Sequence, residues 1–294
     1  MRTANQRHLH EVVAGFYQLC HPVPVLFHTI AIALFALLAA WPQVSWPRFV
    51  LVVAAHLAMQ LSIAILNDYC DRELDARSDK KKPLVQGLVR PREALIVGLF
   101  LIVVMAFLLW PLNRLAGLLS LIYLCLGQGY NLGLKSTPLS GIVFALAMPL
   151  IPVYAFVGMD RFPPFIGWLI PLGALFGIAL NLANSLPDIE EDRAGNARTL
   201  AVVLGVRGCA IAIPLLLLGG VVIIALLTFT HLVPANLLIL LATFLPGLFG
   251  IGLLALLFRP QRLLNRKTTR RPYFLFVVCI TLLLGGGWLA GVLF

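Results

Sequence analysis

The sequence predicts an all-α membrane protein, a helical bundle of about nine transmembrane segments around a central cavity. Two bulk observations carry this prediction. Hydrophobic residues make up 61% of the 294 residues, charged residues 12%, and the mean hydropathy is +0.97, whereas a soluble domain has about 25% charged residues. Apolar runs that are long enough to cross a hydrocarbon core of about 30 Å recur along the whole chain. The alternating ten-residue pattern typical of a transmembrane β-barrel is absent from the sequence.

Short loops separate the predicted spans, so we expect one domain over residues 1–294. The predicted spans are 22–41, 48–66, 93–111, 114–131, 139–158, 163–187, 208–230, 233–257 and 272–294. A cleaved signal peptide is not expected, because the first apolar run is long and the nineteen residues before it are polar or mixed.

The distribution of charge predicts the orientation of these spans. With the N-terminus in the cytoplasm, every Lys and Arg lies on the cytoplasmic side except Arg48, Arg114 and Arg161. This asymmetry follows the positive-inside rule and predicts a multi-pass protein of a prokaryotic inner membrane whose cavity opens to the cytoplasm. The net charge of +10 is therefore a topology signal. Nucleic-acid binding would need a basic soluble face or a folded motif, and neither occurs. We interpret the basic segment 259–271 as an anchor near anionic lipid.

The cysteines and histidines predict neither zinc binding nor a disulfide framework. The five cysteines contain no CxxC pair, and the six histidines show no metal-ligand spacing. His28 and His56 fall inside predicted spans. We interpret them as neutral histidines that are hydrogen-bonded between helices, with a functional role as the alternative.

An acidic pattern occurs twice, each time at the cytoplasmic end of an apolar segment: an Asn is followed at intervals of four residues by two Asp. The copies are Asn67, Asp71 and Asp75, and Asn184, Asp188 and Asp192. On a helix this spacing places each triplet nearly on one face, and Asp68 lies on the same side as the first triplet. Stacked carboxylates repel one another, most strongly where the dielectric is low, so they call for cations. Oxygen ligands favour Mg²⁺, which typically brings a substrate phosphate with it.

Basic residues accompany both copies of the pattern. Lys82 follows the first copy, Arg198 follows the second, and Lys135 lies between them with Tyr130. Metal-binding carboxylates with cations nearby form a diphosphate clamp. A diphosphate at the mouth of an apolar bundle implies a lipid substrate with its tail in the membrane. If the C–O bond of an allylic diphosphate breaks, the product is a carbocation that must be kept from water.

The motifs resemble those of the UbiA superfamily of intramembrane prenyltransferases. The stretch Asn67–Asp75 is similar to the family's NDxxDxxxD motif, and Asp188–Gly205 is similar to its second Asp-rich motif. Tyr130–Lys135 resembles its Tyr-x4-Lys element, and Lys82–Gly87 resembles its basic-Pro-Leu-x-x-Gly stretch. The four motifs occur in the family's order over the whole chain, and nine spans are also the family's architecture.

This chain departs from the family at two places. Many relatives have Arg-Pro near the start of the first span, where this chain has His21 followed by Pro22. In the second Asp motif, Pro187 precedes Asp188, and we expect the helix to kink or end there.

The resemblance implies a polyprenyl diphosphate that is held by two Mg²⁺ ions between the Asp motifs. The implied metal ligands are Asn67, Asp68, Asp71, Asp75, Asn184, Asp188 and Asp192, and the five Asp among them are the implied catalytic residues. The implied diphosphate- and substrate-binding residues are Asn67, Arg72, Lys82, Tyr130, Lys135 and Arg198. Besides the diphosphate, the implied partners are an aromatic acceptor and the lipid bilayer.

The expected function is therefore Mg-dependent prenyl transfer to a small aromatic acceptor in quinone or related isoprenoid lipid biosynthesis. Residues 71–75 resemble the 4-hydroxybenzoate and chlorophyll-synthase branches, whereas residues 198–202 resemble the dihydroxynaphthoate (menaquinone) branch. A 4-hydroxybenzoate-type acceptor is the expectation, and the other two branches are alternatives.

Other classes of protein fit the sequence less well. A transporter with carboxylate ion sites would place them near the bilayer midplane rather than at one face. Phosphatidyltransferases carry a DGxxAR…GxxxD pattern that is absent here. Solvated loop charges would not explain the repeated spacing of the Asp residues.

Overall fold

The computed structural model describes residues 7–77 and 81–294, which form helices, turns and loops without a strand. The helices are α1 (Leu9–Leu19), α2 (Pro22–Ala40), α3 (Trp46–Arg77), α4 (Pro91–Leu109), α5 (Arg114–Asn131), α6 (Ser140–Gly158), α7 (Leu169–Ser185), α8 (Ile189–Ala194), α9 (Leu200–Phe229), α10 (Leu237–Leu257), α11 (Pro260–Asn265) and α12 (Arg270–Leu293). Short 3₁₀ turns occur at Leu134–Ser136, Pro164–Trp168 and Lys267–Thr269. The predicted all-α fold is confirmed.

Eight helical segments in the described part of the chain are long and apolar enough to cross a membrane. They are α2, α3, α4, α6, α7 with its preceding turn, α9, α10, and α12 with its preceding turn. The remaining predicted span, 114–131, coincides with α5 but is not among the eight. Arg114, Gln128 and Asn131 lower its hydropathy. The prediction of a polytopic helical bundle is confirmed, whereas the count of nine spans stays a prediction.

The chain divides into two compact units. The first comprises Met1–Leu132 and Ile151–Phe162, and the second comprises Gly133–Leu150 and Pro163–Phe294. One of the boundaries, between Leu150 and Ile151, falls inside α6, so the two parts of this helix belong to different units. We describe each unit by itself.

Helix α3 is the centre of the first unit and packs against α2, α4 and α5. Ser62 Oγ donates a hydrogen bond to the Gly98 carbonyl at 2.9 Å. A Cβ atom on Gly98 would lie 2.6 Å from the Leu66 side chain, so only glycine permits this approach of α4. The Asn131 amide of α5 donates to the Ile63 carbonyl at 2.9 Å. Small residues and interhelical hydrogen bonds of this kind typically hold membrane helices together, and here they fix the helix that carries the first Asp motif.

The loops that were predicted on the outer side meet at one end of the first unit. Arg48 forms an ion pair with Asp160. The Asn113 amide donates to the Asp160 carboxylate at 2.7 Å and to the Val157 carbonyl at 2.6 Å. The clustering of these three segments agrees with the predicted alternation of the spans in this unit. The membrane side that this end faces stays a prediction.

A buried polar network joins three helices of the first unit. The Gln60 side-chain nitrogen lies 3.0 Å from the Tyr123 hydroxyl and 3.1 Å from a ring nitrogen of both His28 and His56. Unsatisfied polar groups are costly inside a bilayer, and this network pairs such groups across α2, α3 and α5, although His56 Nδ1 is buried without a partner among the described residues. The prediction that these histidines are hydrogen-bonded between helices is confirmed for His28, which lies on α2. It is wrong for His56, whose partner Gln60 lies on the same helix, α3.

The second unit is built on α7, α9, α10 and α12, whose side chains form one apolar core. Helix α9 is interrupted at Gly205, where φ is 67° and ψ is 172°, a conformation that residues with a Cβ atom rarely adopt. The glycine of the second motif stretch therefore marks a bend in α9.

Candidate active site

The first Asp motif lies on one continuous helix, as its spacing predicts. Helix α3 runs past the predicted end of its span to Arg77. Asp68 and Asp75 are seven residues apart and so share a face of α3. They are 2% and 3% exposed. These two carboxylates are therefore not solvated loop charges.

Lys82 supplies the cation for both buried carboxylates. Its Nζ atom lies 2.7 Å from Asp68 Oδ1 and 3.2 Å from Asp75 Oδ2. Burial by itself would lower the pKa of Lys82, but the hydrogen bonds and charges of Asp68 and Asp75 outweigh burial and raise it. Lys82 is therefore a cation throughout the neutral pH range. We call Asp68, Asp75 and Lys82 the first cluster.

A tight turn positions Lys82. The Gln86 amide donates to the Lys82 carbonyl at 2.9 Å, and the Leu88 amide donates to the Pro83 carbonyl at 3.0 Å. Gly87 follows with a φ of 72°, which favours glycine. The basic-Pro-Leu-x-x-Gly stretch is thus a turn that presents its basic residue to α3.

His21 also contacts the first cluster, and the predicted site residues did not include it. His21 Nε2 lies 3.1 Å from Asp68 Oδ1, and the Asn67 amide lies 3.5 Å from the same oxygen. His21 precedes α2 with a φ of 44°, a strained conformation of a kind that clusters at functional sites. The substitution of His for the family's Arg in the dipeptide 21–22 was the sequence signal for this contact.

Arg72 contacts its own helix rather than the first cluster. Its guanidinium donates to the Tyr69 carbonyl at 2.7 Å, lies 4.5 Å from the centre of the Tyr69 ring, and pairs with Glu73 at 3.2 Å. Asp71, which directly precedes Arg72 in the sequence, is half-buried.

The second Asp motif does not lie on one continuous helix. Helix α7 ends at Ser185, and α8 begins only at Ile189. The helix ends just before Pro187, as predicted, because proline lacks the N–H that the next turn needs. The expectation that the second triplet shares one helical face is therefore wrong. Asn184 and Asp188 are exposed, and Asp192 is half-buried in α8.

A buried arginine of α12 anchors this second motif. Arg270 is 0% exposed and donates to both carboxylate oxygens of Glu190, at 2.6 and 2.8 Å. It also donates to the Leu186 carbonyl at 3.2 Å. The hydrogen-bonded guanidinium lowers the pKa of Glu190. The sequence predicts Arg270 only as part of a lipid anchor and does not reveal this role, because no spacing rule links residues 80 positions apart.

Two predicted diphosphate-binding cations lie on adjacent segments of the second unit. The Arg198 backbone amide donates to the Ser136 carbonyl at 2.8 Å, and the Leu200 amide donates to Ser140 Oγ at 3.3 Å. The chain at Arg198 therefore runs beside the turn that carries Lys135. Tyr130 lies in the last turn of α5, in the first unit.

The donor set fits magnesium that arrives with a phosphate. Within residues 7–77 and 81–294, no three or more His, Cys, Asp or Glu side chains are arranged to hold a metal ion by themselves. Magnesium is usually bound by one or two carboxylates together with substrate phosphates rather than by an all-protein cage. The carboxylates of the two motifs are oxygen ligands of this kind.

These features define a helical membrane protein with carboxylate and cation groups at its helix ends. The family model of the UbiA prenyltransferase family matches residues 26–280. The chain therefore belongs to the UbiA prenyltransferase family and is an integral, multi-pass membrane protein.

Curated relatives match part of this chain. It is 29% identical over 150 residues to a 4-hydroxybenzoate octaprenyltransferase from Neisseria meningitidis, a match that covers 50% of this chain and 51% of the relative. It is 31% identical over 188 residues to the digeranylgeranylglyceryl phosphate synthase of Pyrococcus furiosus, covering 64% of this chain and 61% of the relative. The chain thus spans about half to two thirds of the length of these relatives.

Solved structures share the fold over nearly the whole chain. A structure of digeranylgeranylglyceryl phosphate synthase matches with a TM-score of 0.76 and 17% identity, covering 96% of this chain and 99% of the other. A UbiA homologue from Archaeoglobus fulgidus bound to DMAPP and Mg²⁺ matches with a TM-score of 0.70 and 16% identity, covering 93% and 98%.

Proposed function

We propose that the protein is a Mg-dependent prenyltransferase that moves a prenyl group from an allylic polyprenyl diphosphate to an aromatic acceptor. The observation that carries the proposal is the first cluster. Its two buried carboxylates share one lysine at the end of a membrane helix, within the family's Asp motif. Buried carboxylates held at a membrane surface next to a cation suit a metal–diphosphate head group whose lipid tail enters the membrane.

In the proposed reaction, the C–O bond of the allylic diphosphate breaks and the diphosphate leaves with the electron pair. A carbon of the acceptor ring forms the new bond to the prenyl cation, and the ring then loses a proton. Bound Mg²⁺ supplies charge stabilisation for the departing diphosphate.

Each predicted site residue has a defined role in this proposal. The metal ligands are Asn67, Asp68, Asp71, Asp75, Asn184, Asp188 and Asp192. The side chains that bind the diphosphate and the substrate are Arg72, Lys82, Tyr130, Lys135 and Arg198. Lys82 enters this role as a cation, because Asp68 and Asp75 raise its pKa.

The proposed acceptor is of the 4-hydroxybenzoate type, for quinone biosynthesis at the cytoplasmic face of a prokaryotic inner membrane. The Neisseria relative, named for octaprenyl transfer to 4-hydroxybenzoate, supports this choice. Dihydroxynaphthoate and the chlorophyll-synthase acceptor are alternatives from the sequence. A glyceryl phosphate acceptor is a second candidate, favoured by the Pyrococcus relative and by the structure with a TM-score of 0.76.

A reconstitution assay tests the proposal. Purified protein in lipid nanodiscs receives Mg²⁺, one of geranyl, farnesyl, geranylgeranyl or octaprenyl diphosphate, and one acceptor from each class. Pyrophosphate release and the mass of the prenylated product are measured. A saturated diphosphate analogue should bind and compete without reacting, because it forms no stabilised cation.

Matched variants separate metal chemistry from a general loss of charge. Asp71→Asn and Asp188→Asn should lower turnover by orders of magnitude, because each removes a metal ligand. Glu191→Gln removes an exposed carboxylate between Asp188 and Asp192 that is not a proposed metal ligand, and it should leave turnover near that of the wild type. Undiminished activity in EDTA would contradict the proposal. Solute accumulation by proteoliposomes without any prenyl transfer would support a transporter instead.

A further inference from the structure

The hydrogen bonds of Arg270 leave little of its guanidinium for a ligand. The group has five N–H donors, and four are directed at protein acceptors. Besides the two Glu190 oxygens and the Leu186 carbonyl, the Nε–H donates to the Leu263 carbonyl at 2.9 Å. With 0% exposure, Arg270 lacks the water or lipid contact of a surface anchor. Its acceptors instead lie between α7 and α8 (Leu186), in α8 (Glu190) and in α11 (Leu263).

The acceptors in the second motif bracket Asp188. Leu186 precedes it by two residues, and Glu190 follows it by two. This stretch has little helical support of its own, since α7 has ended and α8 has six residues. Helices of that length are not stable by themselves. The position of Asp188 and Asp192 therefore depends on tertiary contacts, namely the burial of Leu186 and Ile189, which are 0% and 2% exposed, and the bonds from Arg270.

We propose that Arg270 is the positioning residue of the second Asp motif. Through Glu190 and the Leu186 carbonyl, it holds Asp188 and Asp192 where they bind a magnesium diphosphate. We call the contacts of Arg270 with Glu190 and with the Leu186 carbonyl the tether. The ligand in this inference rests on the proposed function, whereas the tether is independent of that function. It gives one residue of the basic segment 259–271 a role in the site.

The expected size of the effect follows from the tether. Partners that orient metal ligands typically change metal affinity or activity by about 10- to 100-fold when they are removed. Glu190→Gln keeps the shape of the side chain and one acceptor oxygen but loses the charge-assisted, two-bond pairing. Since the Glu190 side chain is 40% exposed, this variant is expected to fold. Arg270→Gln removes a fully buried guanidinium together with its two-bond pairing to Glu190 and is the riskier variant, because Glu190 then retains only the more distant Lys267 at 4.0 Å.

The first measurement reads the tether without any ligand. A spin label is attached to a cysteine at Ala194, an exposed residue of α8, in a protein whose five native cysteines are replaced by alanine. The labelled wild type should give a broad, immobilised spectrum. Glu190→Gln should give a narrower, mobile spectrum. Arg271→Gln, a change at the exposed neighbour in α12, is the matched control and should leave the spectrum unchanged.

The second measurement links the tether to the ligand. Binding of Mg²⁺ with inorganic pyrophosphate is titrated calorimetrically, and KM for the prenyl diphosphate is measured beside kcat. In Glu190→Gln, the pyrophosphate Kd and the KM should rise about 10-fold or more, while kcat at saturation changes less. Arg270→Lys keeps the charge but not the planar fork, so its Kd should lie between those of the wild type and Glu190→Gln. Arg271→Gln should match the wild type.

Distinct results would overturn the inference. If the spectrum at residue 194 is the same in the wild type and Glu190→Gln, Arg270 does not position the motif. If Glu190→Gln lowers thermal stability while Kd and KM stay at wild-type values, the pair is merely structural. If the wild type itself binds no Mg–pyrophosphate, the proposed function fails. The spin-label spectra alone then decide whether Arg270 holds the second motif in place.

Discussion

Replacing Lys82 with methionine tests how much the charge of Lys82 stabilises the two buried carboxylates of the first cluster. Lys82→Met keeps the length and the apolar stem of the side chain but removes its charge. Asp68 and Asp75, at 2% and 3% exposure, then lose the cation that now lies 2.7 and 3.2 Å away. Lys81→Met is the matched control, because Lys81 is the exposed neighbour.

The expected magnitude follows from the burial of the carboxylates. Breaking a buried ion pair by removal of one partner costs about 3–5 kcal/mol. The Lys82 side chain is 25% exposed, so water screens part of the interaction and we expect the lower end, about 3 kcal/mol. For a protein of this size, that loss corresponds to a fall in Tm of roughly 6–12 °C. Lys81→Met should change Tm by no more than a surface substitution does.

Magnesium should restore most of the lost stability. A divalent ion bound by the carboxylates replaces the missing charge, and a ligand present at a hundredfold excess over its Kd stabilises a protein by about 2.7 kcal/mol. The wild type should gain less from the same ion, because Lys82 already offsets one of the two carboxylate charges and competes with the metal.

The assay is thermal unfolding of the detergent-purified protein, in EDTA and over a magnesium titration. Equal Tm values for Lys82→Met and Lys81→Met in EDTA would show that the pairing of Lys82 with Asp68 and Asp75 does not stabilise the protein. An identical magnesium response in Lys82→Met and the wild type would refute the competition between lysine and metal.

Three further predictions address topology, a buried amide and pH. A cysteine at Asn196 should react with an impermeant thiol reagent only from the cytoplasmic side, and one at Phe162 only from outside; the reverse pattern would invert the topology. The side-chain nitrogen and oxygen of Asn181 are both buried without a hydrogen-bond partner among the described residues. Asn181→Leu should therefore raise the free energy of unfolding by about 1 kcal/mol or more. A denaturation series in mixed micelles measures this change. Because Arg270 lowers the pKa of Glu190, their pairing stabilises the protein above the unfolded carboxyl pKa of about 4.3 and is lost as pH falls through the lower folded value. The stability difference between the wild type and Glu190→Gln should therefore be constant near pH 7 and shrink as the pH falls below about 4. A difference that does not shrink in acid would contradict the pairing.

Hydropathy located the spans well because bilayer thickness fixes the length of a membrane helix. The span predicted at 139–158 is the helix Ser140–Gly158. The span predicted at 48–66 was too short, because hydropathy falls at Asn67 although α3 continues to Arg77. Polar residues there remain helical, since a helix needs backbone bonds rather than apolar side chains, and Lys82 pairs with the buried carboxylates.

The residues of the site were predictable where they repeat a local pattern, and not where they depend on distant contacts. The Asn-x3-Asp-x3-Asp spacing revealed both motifs, and Pro187 revealed the break in the second. The contacts of His21 and Arg270 join residues 47 and 80 positions apart. Only packing brings such residues together, and a single sequence carries no periodic signal of it.

The two Asp motifs share the same sequence spacing, but different contacts hold their carboxylates in place. The first lies within a long helix, and its carboxylates Asp68 and Asp75 are buried against Lys82. An incoming divalent ion must therefore compete with a cation that is already bound, and the geometry of the carboxylates exists before it arrives. The second motif crosses a helix break, where Asp188 is exposed and its position depends on Arg270. Its carboxylates need the tether to hold their geometry. Substitutions near the first motif should therefore change the competition with metal, whereas substitutions near the second should change how well the ligands are held in place.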